Sequence, residues 1–393
     1  MLEALIRTAT AHGASDLHIE PGSPAIIRVR GDLHRVGNPL TASETQAAAE
    51  TMLGVENWPA FIERGSSDLS RTAGVVRCRV NAFVSRRGIS MAIRLLAQRV
   101  PTLETLNLLP ELRDLVERKN GLVLVSGPTG SGKSSTLAAL TQEINLSARR
   151  HIITVEEPIE FSLESRLAFI QQREVGTHTP SFRQALLDVL REDPDVVMVG
   201  EMREPEVMRL TLNIAETGHL VLATVHSSNT TEAIQRIVMA FSPEQQASVR
   251  AGLADALVGV VCQRLVHLAD RNIQAPECEV LMVTSSVRNL IRLGEFHKMT
   301  SALATGGKDG MYTWERYRAW MDSRVKWHQR ADSDPVPAEE PRSADEVVIQ
   351  RKADTRPAAA TASQDDDGVI SLEPPTEGIA EFISRLKPPV RGR

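Results

Sequence analysis

The stretch "GLVLVSGPTGSGKSS", residues 121–135, decides the fold of this 393-residue chain. Its first half contains an apolar run, Leu122–Ser126, that is short enough to be a buried strand of a parallel sheet. Its second half, Gly127–Ser134, fits the pattern G-x-x-x-x-G-K-[ST] without a mismatch, and a helix is predicted over 134–144. Because this pattern binds phosphate where it joins a strand to a helix, the stretch predicts a nucleotide-binding loop.

The residue types in this loop suit a polyphosphate ligand. Glycines allow backbone amides to close around phosphates, and the N-terminus of the following helix adds positive potential. Lys133 is predicted to reach the β- and γ-phosphates, and Ser134 is predicted to coordinate Mg²⁺. The predicted cofactors are therefore ATP and Mg²⁺. The candidate cofactor-binding residues of the loop are Gly127, Pro128, Thr129, Gly130, Ser131, Gly132, Lys133, Ser134 and Ser135.

Further apolar runs repeat the strand pattern on the C-terminal side of the loop. They are "HIITVEE" at 151–157, "DVVMVGE" at 195–201 and "HLVLATV" at 219–225. Strands of this kind that alternate with helices predict a parallel sheet and an α/β fold.

Carboxylates follow two of these runs. Glu201 comes directly after a buried strand and Gly200, where an acidic residue near the metal is expected. Glu156, Glu157 and Glu160 follow the other run, where a carboxylate could orient or deprotonate the attacking water. Three neighbouring glutamates are also compatible with a solvated surface turn, and composition alone leaves both interpretations open.

Two histidines bracket the last apolar run, in "AETGHLVLATVHSSNT" at 215–230. His219 and His226 would share one face of a helix, but the run between them is typical of a buried strand. On a strand their separation is roughly 23 Å, so they cannot share one metal ion. The residues alone leave structural and functional roles open.

Net charge, cysteine spacing and hydropathy argue against several classes of protein. The formal net charge of -5 argues against a mainly nucleic-acid-binding protein. The cysteines form no CxxC pair, so neither a zinc site nor a disulfide framework is predicted, in keeping with a reducing cytoplasm. No apolar run approaches the ~20 residues of a membrane span.

Patterning along the chain predicts four segments. Residues 1–100 predict a small α+β domain, and residues 101–112 predict a linker with two prolines. Residues 113–328 predict the P-loop domain. Residues 329–393 are rich in proline and acidic residues and predict a disordered tail, with one amphipathic helix at 376–386.

Within the first domain, short apolar runs predict strands in two places. Residues 15–36 predict two strands and a turn at Gly31–Asp32. Residues 75–96 predict two more strands, broken at Arg87–Gly88. An amphipathic helix is predicted before them, over the first residues of the chain.

Several of these segments together resemble the PilT family, the retraction ATPases of type IV pili within the wider secretion ATPase superfamily. The resemblance covers about residues 14–320. Besides the phosphate loop, it rests on "TVEEPIEF" at 154–161, which is similar to the family's acidic box with Glu157 in place of Asp. It also rests on Gln172–Val175, on "LREDPDVVMVGEMR" at 190–203, and on the histidine stretch at 215–230.

The resemblance implies a RecA-like P-loop domain preceded by a small PAS-like domain, and roles for individual residues. Glu160 maps to the family's catalytic glutamate, with Glu156 as the alternative, and Glu201 maps to the Walker B glutamate near Mg²⁺. His226, and with it His219, would lie near the nucleotide. The segments "RCRVNAF" and "MAIR" match parts of the family that bring arginines to the phosphates. Those arginines are Arg79 and Arg94.

The function implied is that of a cytoplasmic homohexameric ATPase that powers pilus retraction. It would act on an inner-membrane platform protein, with indirect membrane contact, no nucleic acid and room for a second pilus ATPase as partner. Residues 285–292, "SSVRNLIR", resemble a helix associated with retraction, but Leu293 stands where the family has Glu. That departure keeps other interpretations open: a PilU-like accessory motor, or a type II/IV secretion or conjugation ATPase. A non-hydrolysing assembly subunit and a DNA translocase are the alternatives from other classes.

Overall fold

A computed structural model describes residues 1–29, 31–74, 76–96, 99–271 and 273–328 of the chain. The predicted tail and its helix at 376–386 lie outside these residues. Two sheets organise the described residues, one in the first hundred residues and the other around the phosphate loop.

The first sheet is antiparallel throughout. Its strands are β1 (Asp16–Ile19), β2 (Ala25–Val29), β3 (Asp32–Val36), β4 (Ser66–Ala73), β5 (Val76–Ser85) and β6 (Gly88–Leu95). Their spatial order is β3-β2-β1-β6-β5-β4. Side chains of β5 alternate between a buried face, which carries Cys78 and Val80, and an open face, which carries Arg77 and Arg79. This period of two turns the arginines away from the core of the first domain.

Two helices cover the buried face of this sheet. They are α1 (Leu2–Ala11) and α2 (Ala42–Arg64). Helix α2 begins with a capping box in which Thr41 accepts the Glu44 amide and the Glu44 side chain accepts the Thr41 amide. It is kinked at Gly54, whose φ of 70° lies in a region that other residues rarely adopt.

The second sheet carries the phosphate loop. Its strands are β7 (Gly121–Ser126), β8 (His151–Glu156), β9 (Phe169–Glu174), β10 (Val196–Val199), β11 (Leu220–Val225), β12 (Leu257–Leu268) and β13 (Ile273–Met282). Their order is β13-β12-β7-β11-β10-β8-β9. All neighbouring pairs are parallel except β12 and β13, which are antiparallel. The predicted α/β fold with a parallel sheet is thus confirmed, with one antiparallel strand added at an edge.

Helices pack on both faces of the second sheet, as buried parallel strands require. They are α3 (Lys133–Ser147), α4 (Phe182–Val189), α5 (Pro205–Glu216), α6 (Thr230–Met239), α7 (Pro243–Ala256), α8 (Ser285–Leu293), α9 (Met299–Thr305) and α10 (Trp314–Ser323). Across the described part of the chain, none of the helices has the length and apolar composition needed to cross a bilayer.

The segment between the two sheets is packed, not solvated. Leu103, Leu108, Leu109 and Leu112 are buried in the same apolar cluster as strand β7, and a 3-10 helix covers Pro110–Leu115. The leucines that follow Pro101 therefore attach the predicted linker to the second sheet.

Candidate nucleotide-binding and hydrolysis site

The phosphate loop joins the end of β7 to the start of α3. Gly127, Gly130 and Gly132 have φ values of 148°, 77° and 86°. At Gly127 a Cβ would lie 2.3 Å from the backbone oxygen of Gln263, so only glycine fits against β12. Helix α3 begins after Gly132, and no side chain caps it. Its first amides therefore point into the loop without a side-chain acceptor, as phosphate binding requires.

Lys133 lies inside the loop. Its Nζ donates hydrogen bonds to the carbonyl oxygens of Gly127 and Pro128, at 3.0 and 2.9 Å. Burial lowers the pKa of the Lys133 ammonium, and the negative charge of Glu201 partly opposes this. The ammonium thus contacts neutral backbone carbonyls, and a negatively charged phosphate would attract it more strongly.

A path of polar side chains connects Lys133 with the end of β10. Nζ of Lys133 lies 3.4 Å from Nδ1 of His226, and Nε2 of His226 lies 2.6 Å from Oε1 of Glu201. Because an ammonium can only donate, Nδ1 must accept, which assigns the imidazole proton to Nε2 and directs it at Glu201. The predicted positions Lys133, Glu201 and His226 are brought together in this way.

Glu201 also contacts Arg203, whose Nη2 lies 2.7 Å from Oε2. Burial alone would raise the pKa of Glu201, but the hydrogen bond and charge of Arg203, together with the hydrogen bond from His226, outweigh it, so the pKa lies below its usual value. An ionised carboxylate at this place can bind a divalent cation or water that a cation polarises.

Glu156 is the last residue of β8 and is only 8% exposed. Its Oε1 accepts hydrogen bonds from the hydroxyl of Thr154, at 2.6 Å, and from Nε2 of Gln172, at 3.1 Å. Burial raises the pKa of Glu156 to about 7 in spite of these two hydrogen bonds. Its carboxyl group is therefore enclosed and already engaged.

Glu157 and Glu160 lie in the loop that follows β8, which we call the acidic loop (residues 157–163). Both are at least partly exposed. The pKa of Arg79 is raised by its hydrogen bonds to Asp68 and, more weakly, by the charges of Glu160 and Glu157. Ile159 of this loop and Arg77 on the open face of the first sheet both contact the Glu174 carboxylate, so the acidic loop faces that side of the sheet.

The two predicted arginines are cross-strand neighbours. Arg79 of β5 is directly opposite Arg94 of β6, so both project from the same face. Nη2 of Arg79 lies 2.7 Å from Asp68, and Nε of Arg94 lies 3.0 Å from Asp16. The Arg94 side chain is 67% exposed. The structure thus brings Arg79 near the acidic loop, while the described contacts of Arg94 are with its own sheet.

His219 lies at the end of the central strands opposite to the phosphate loop. It precedes β11, and its backbone oxygen accepts the amide of Gly121, where β7 begins. Its Nδ1 lies 3.1 Å from the Ile214 oxygen. The phosphate loop follows the other end of β7, roughly 20 Å away for a strand of this length. The expectation that His219 binds nucleotide therefore has no support within one chain.

Two polar residues at this site were missing from the sequence prediction. Gln263 is fully buried on β12 and donates from Nε2 to the Ser131 oxygen at 2.6 Å, so it supports the phosphate loop. Its signal is a glutamine inside the apolar run "LVGVVCQRL" at 257–265. Arg77 lies one pleat from Arg79 on the same face of β5 and contacts Glu174 of the second sheet. The alternation of the strand could have identified it together with Arg79.

The residues present fit a magnesium nucleotide. The Ser134 side chain is exposed in the first turn of α3, next to Lys133. The hydroxyl of Ser131, buried within the loop, has no hydrogen-bond partner among the described residues. A hydroxyl, an ammonium, uncapped amides and an ionised carboxylate form the donor and acceptor set that triphosphate and Mg²⁺ use.

Known proteins are similar to this chain in sequence and in fold. Residues 1–308 match the family model described as "Type II/IV secretion system protein". The type IV pilus retractation ATPase PilT of Pseudomonas aeruginosa is 41% identical over 311 residues, which cover 79% of this chain and 90% of that protein. The type IV pilus ATPase PilU of the same organism is 38% identical over 332 residues, covering 83% of this chain and 86% of PilU.

A solved structure agrees with these matches. The crystal structure of the pilus retraction motor PilT with bound ADP superimposes with a TM-score of 0.73 and 37% identity, covering 81% of this chain and 96% of that chain. Since the family model spans most of the chain and these relatives match nearly their full length, the chain belongs to the type II/IV secretion system protein family and, within it, to the PilT family of ATPases.

Proposed function

We propose that this chain hydrolyses ATP, with Mg²⁺, at the phosphate loop. The observation that carries the proposal is the path from Lys133 through His226 to Glu201, which joins the loop to the end of β10. When bound, Mg²⁺ supplies charge that stabilises the developing phosphate negative charge. Ser134 and Glu201 are the residues that would hold it.

Glu160 is the proposed base, and Glu156 is the alternative. A base must reach the water that attacks the phosphate. Glu156 is buried and occupied by Thr154 and Gln172, whereas Glu160 is partly exposed at the acidic loop. This difference in environment favours Glu160.

Arg79 and Arg94 are proposed to contact phosphate oxygens in an assembled homohexameric ring. Both guanidinium groups project from an open sheet face and contact only half-buried or exposed carboxylates in the bonds described. A planar guanidinium that exchanges its carboxylate partner for a phosphate forms charge-assisted bidentate contacts. Arg79 is close to the acidic loop, and Arg94 is its cross-strand neighbour. Both would therefore contact a nucleotide bound between neighbouring subunits of the ring.

The work done by this ATPase is proposed to be pilus retraction, at the cytoplasmic face of the inner membrane and through a platform protein. Identity of 41% to a pilus retractation ATPase over most of both chains supports it. The direct test of the enzyme is turnover by the purified chain with Mg²⁺ and with EDTA, together with its mass in solution. Magnesium-dependent phosphate release by a hexamer is expected, and a monomer without turnover would refute the proposal.

One feature favours a second candidate, an accessory motor like PilU or a secretion ATPase. Leu293 ends α8 and is 60% exposed, where the retraction helix of the family carries Glu. An exposed leucine in place of a carboxylate changes the surface offered to a partner. Retraction restored by this chain alone, in a strain that keeps its pilus assembly ATPase but lacks every other retraction ATPase, would exclude the accessory role.

A further inference from the structure

Glu174, the last residue of β9, lies at the boundary of the two domains. It is directly opposite Glu156 of β8 in the parallel register and is only 3% exposed. Its role is separate from that of the predicted bases, because its carboxylate is buried and its described partners are Ile159, Arg77 and Thr177. A buried carboxylate is costly unless several donors satisfy it.

Those donors come from three different segments. The amide of Ile159, in the acidic loop, donates to Oε2 at 3.0 Å. Nη2 of Arg77, from the first sheet, lies 2.5 Å from the same oxygen. The hydroxyl of Thr177 donates to Oε1 at 3.2 Å. One carboxylate therefore ties the acidic loop to the first domain and to the turn after β9.

The position of Ile159 gives this arrangement a consequence for catalysis. Ile159 is buried and directly precedes Glu160, the proposed base. The hydrogen bond from its backbone amide to Glu174 fixes the backbone from which the Glu160 side chain projects. Arg77 belongs to the first domain and contacts the same carboxylate from 97 residues away in sequence. The hydrogen bond between Ile159 and Glu174 therefore depends on how the first domain packs against the second.

We propose that Glu174 is a positioning residue, held by Arg77, that sets the acidic loop for hydrolysis and makes its geometry depend on docking of the first domain. The inference rests on the proposed ATPase function for its effect on turnover. Its structural half, the order of the acidic loop, can be measured without turnover. Arg77 completes the arrangement because a paired charge is what makes the buried carboxylate tolerable.

The test uses the full chain with Glu174→Gln, Arg77→Met and the double variant. Turnover with Mg-ATP and hydrogen exchange of residues 157–163 are measured together. We expect each single variant to speed exchange in that loop. We also expect kcat to fall roughly 10- to 100-fold, since misplacing a catalytic group by about 1 Å has this effect. KM should change by less than about twofold, because nucleotide contacts are untouched.

Two comparisons separate this role from general destabilisation. The double variant should be no slower than the worse single variant, because both remove one shared interaction. Arg77→Lys, which keeps the charge, should recover part of kcat. The matched control is Arg87→Met, which breaks an exposed ion pair with Glu20 in the same domain and should match the wild type.

The outcomes are distinct for the two claims. Wild-type exchange in residues 157–163, or wild-type kcat in Arg77→Met, would overturn the positioning role. An equal loss of stability across the whole chain with no local change in exchange would also overturn it. Absence of turnover in the wild type would refute the proposed function instead, and loop exchange would still decide the role of Glu174.

Discussion

At the scale of single residues, burial separates carboxylates that the sequence presents as equivalent. Glu156 is enclosed by Thr154 and Gln172, Glu174 is tied into the domain boundary, and Glu201 is ionised beside Arg203. Burial raises the pKa of Glu156, whereas hydrogen bonds and the Arg203 charge lower the pKa of Glu201. The roles assigned above follow from those surroundings.

Replacing Lys133 tests the site at its centre. Lys133→Ala removes the only charged side chain of the phosphate loop, residues 127–135. The loop then lacks the ammonium that would stabilise the phosphate charge. Turnover should fall at least roughly 100-fold, the size of effect seen when one preorganised donor is removed. Lys308→Ala, at an exposed position in a 3-10 helix, is the matched control and should leave phosphate release unchanged. Normal activity of Lys133→Ala would exclude this loop as the site.

The enclosed carboxyl of Glu156 predicts a pH-dependent stability. Burial raises its pKa in the folded chain from the ordinary 4.5 to about 7. Because the folded state binds this proton more tightly, its stabilising effect is complete below the unfolded pKa and is lost as pH rises through about 7. Glu156→Gln should therefore gain stability relative to the wild type between pH 5 and pH 8, by at most about 3 kcal/mol. Thermal unfolding of both proteins across this range measures it, and a constant difference in Tm would contradict the enclosed environment.

At the scale of elements, β12 lies so close to the phosphate loop that it limits which side chains the loop can carry. Gly127→Ala would place a methyl group 2.3 Å from the Gln263 backbone oxygen, which cannot move without breaking the sheet. We expect a loss of about 1–3 kcal/mol in the free energy of unfolding, together with weaker nucleotide binding. Gly22→Ala, with a φ of 76° but open space around it, controls for backbone strain alone. Equal effects of the two variants in urea unfolding would show that the contact with β12 is unimportant.

The elements that the sequence predicted best are those whose cause is local. The strand, loop and helix around residues 121–144 follow from short apolar runs and glycines, and the break at Arg87–Gly88 separates β5 from β6 as expected. Residues 15–36 were predicted to hold two strands, but the structure has three, because Gly22 and Gly31 each allow a turn. The contact between Arg77 and Glu174 lies beyond such reasoning, since it joins residues far apart in sequence across two domains.

At the scale of the whole molecule, the last described helix and the residues after it pack onto the second domain and the segment before it. Helix α10 buries Tyr317 and Met321, and Asn107 exchanges two hydrogen bonds with the backbone of His328. The division into segments at 100, 112 and 328 stays a prediction. The packed leucines after Pro101 place that segment with the second sheet.

Removal of residues 331–393 tests where the working unit ends. Turnover and ring assembly should be intact, because the contacts of α10 and of His328 are retained. Removal from residue 313 onward is the contrasting truncation. It deletes the buried Tyr317 and Met321, and such core losses each cost about 2–5 kcal/mol. Size-exclusion chromatography and an ATPase assay compare the two truncated proteins. Collapse of the ring after removal of residues 331–393 would show that the tail belongs to the assembly.

The central claim is that this ATPase disassembles pili, and a gene deletion tests it most directly. Surface pili are counted and surface motility is scored in the deletion strain, and again after complementation with the wild type or with Lys133→Ala. Excess pili with lost motility, corrected by the wild type alone, is the result predicted for a retraction motor. Unchanged or absent pili would contradict retraction and would assign the same ATPase site to a secretion, accessory or assembly machine.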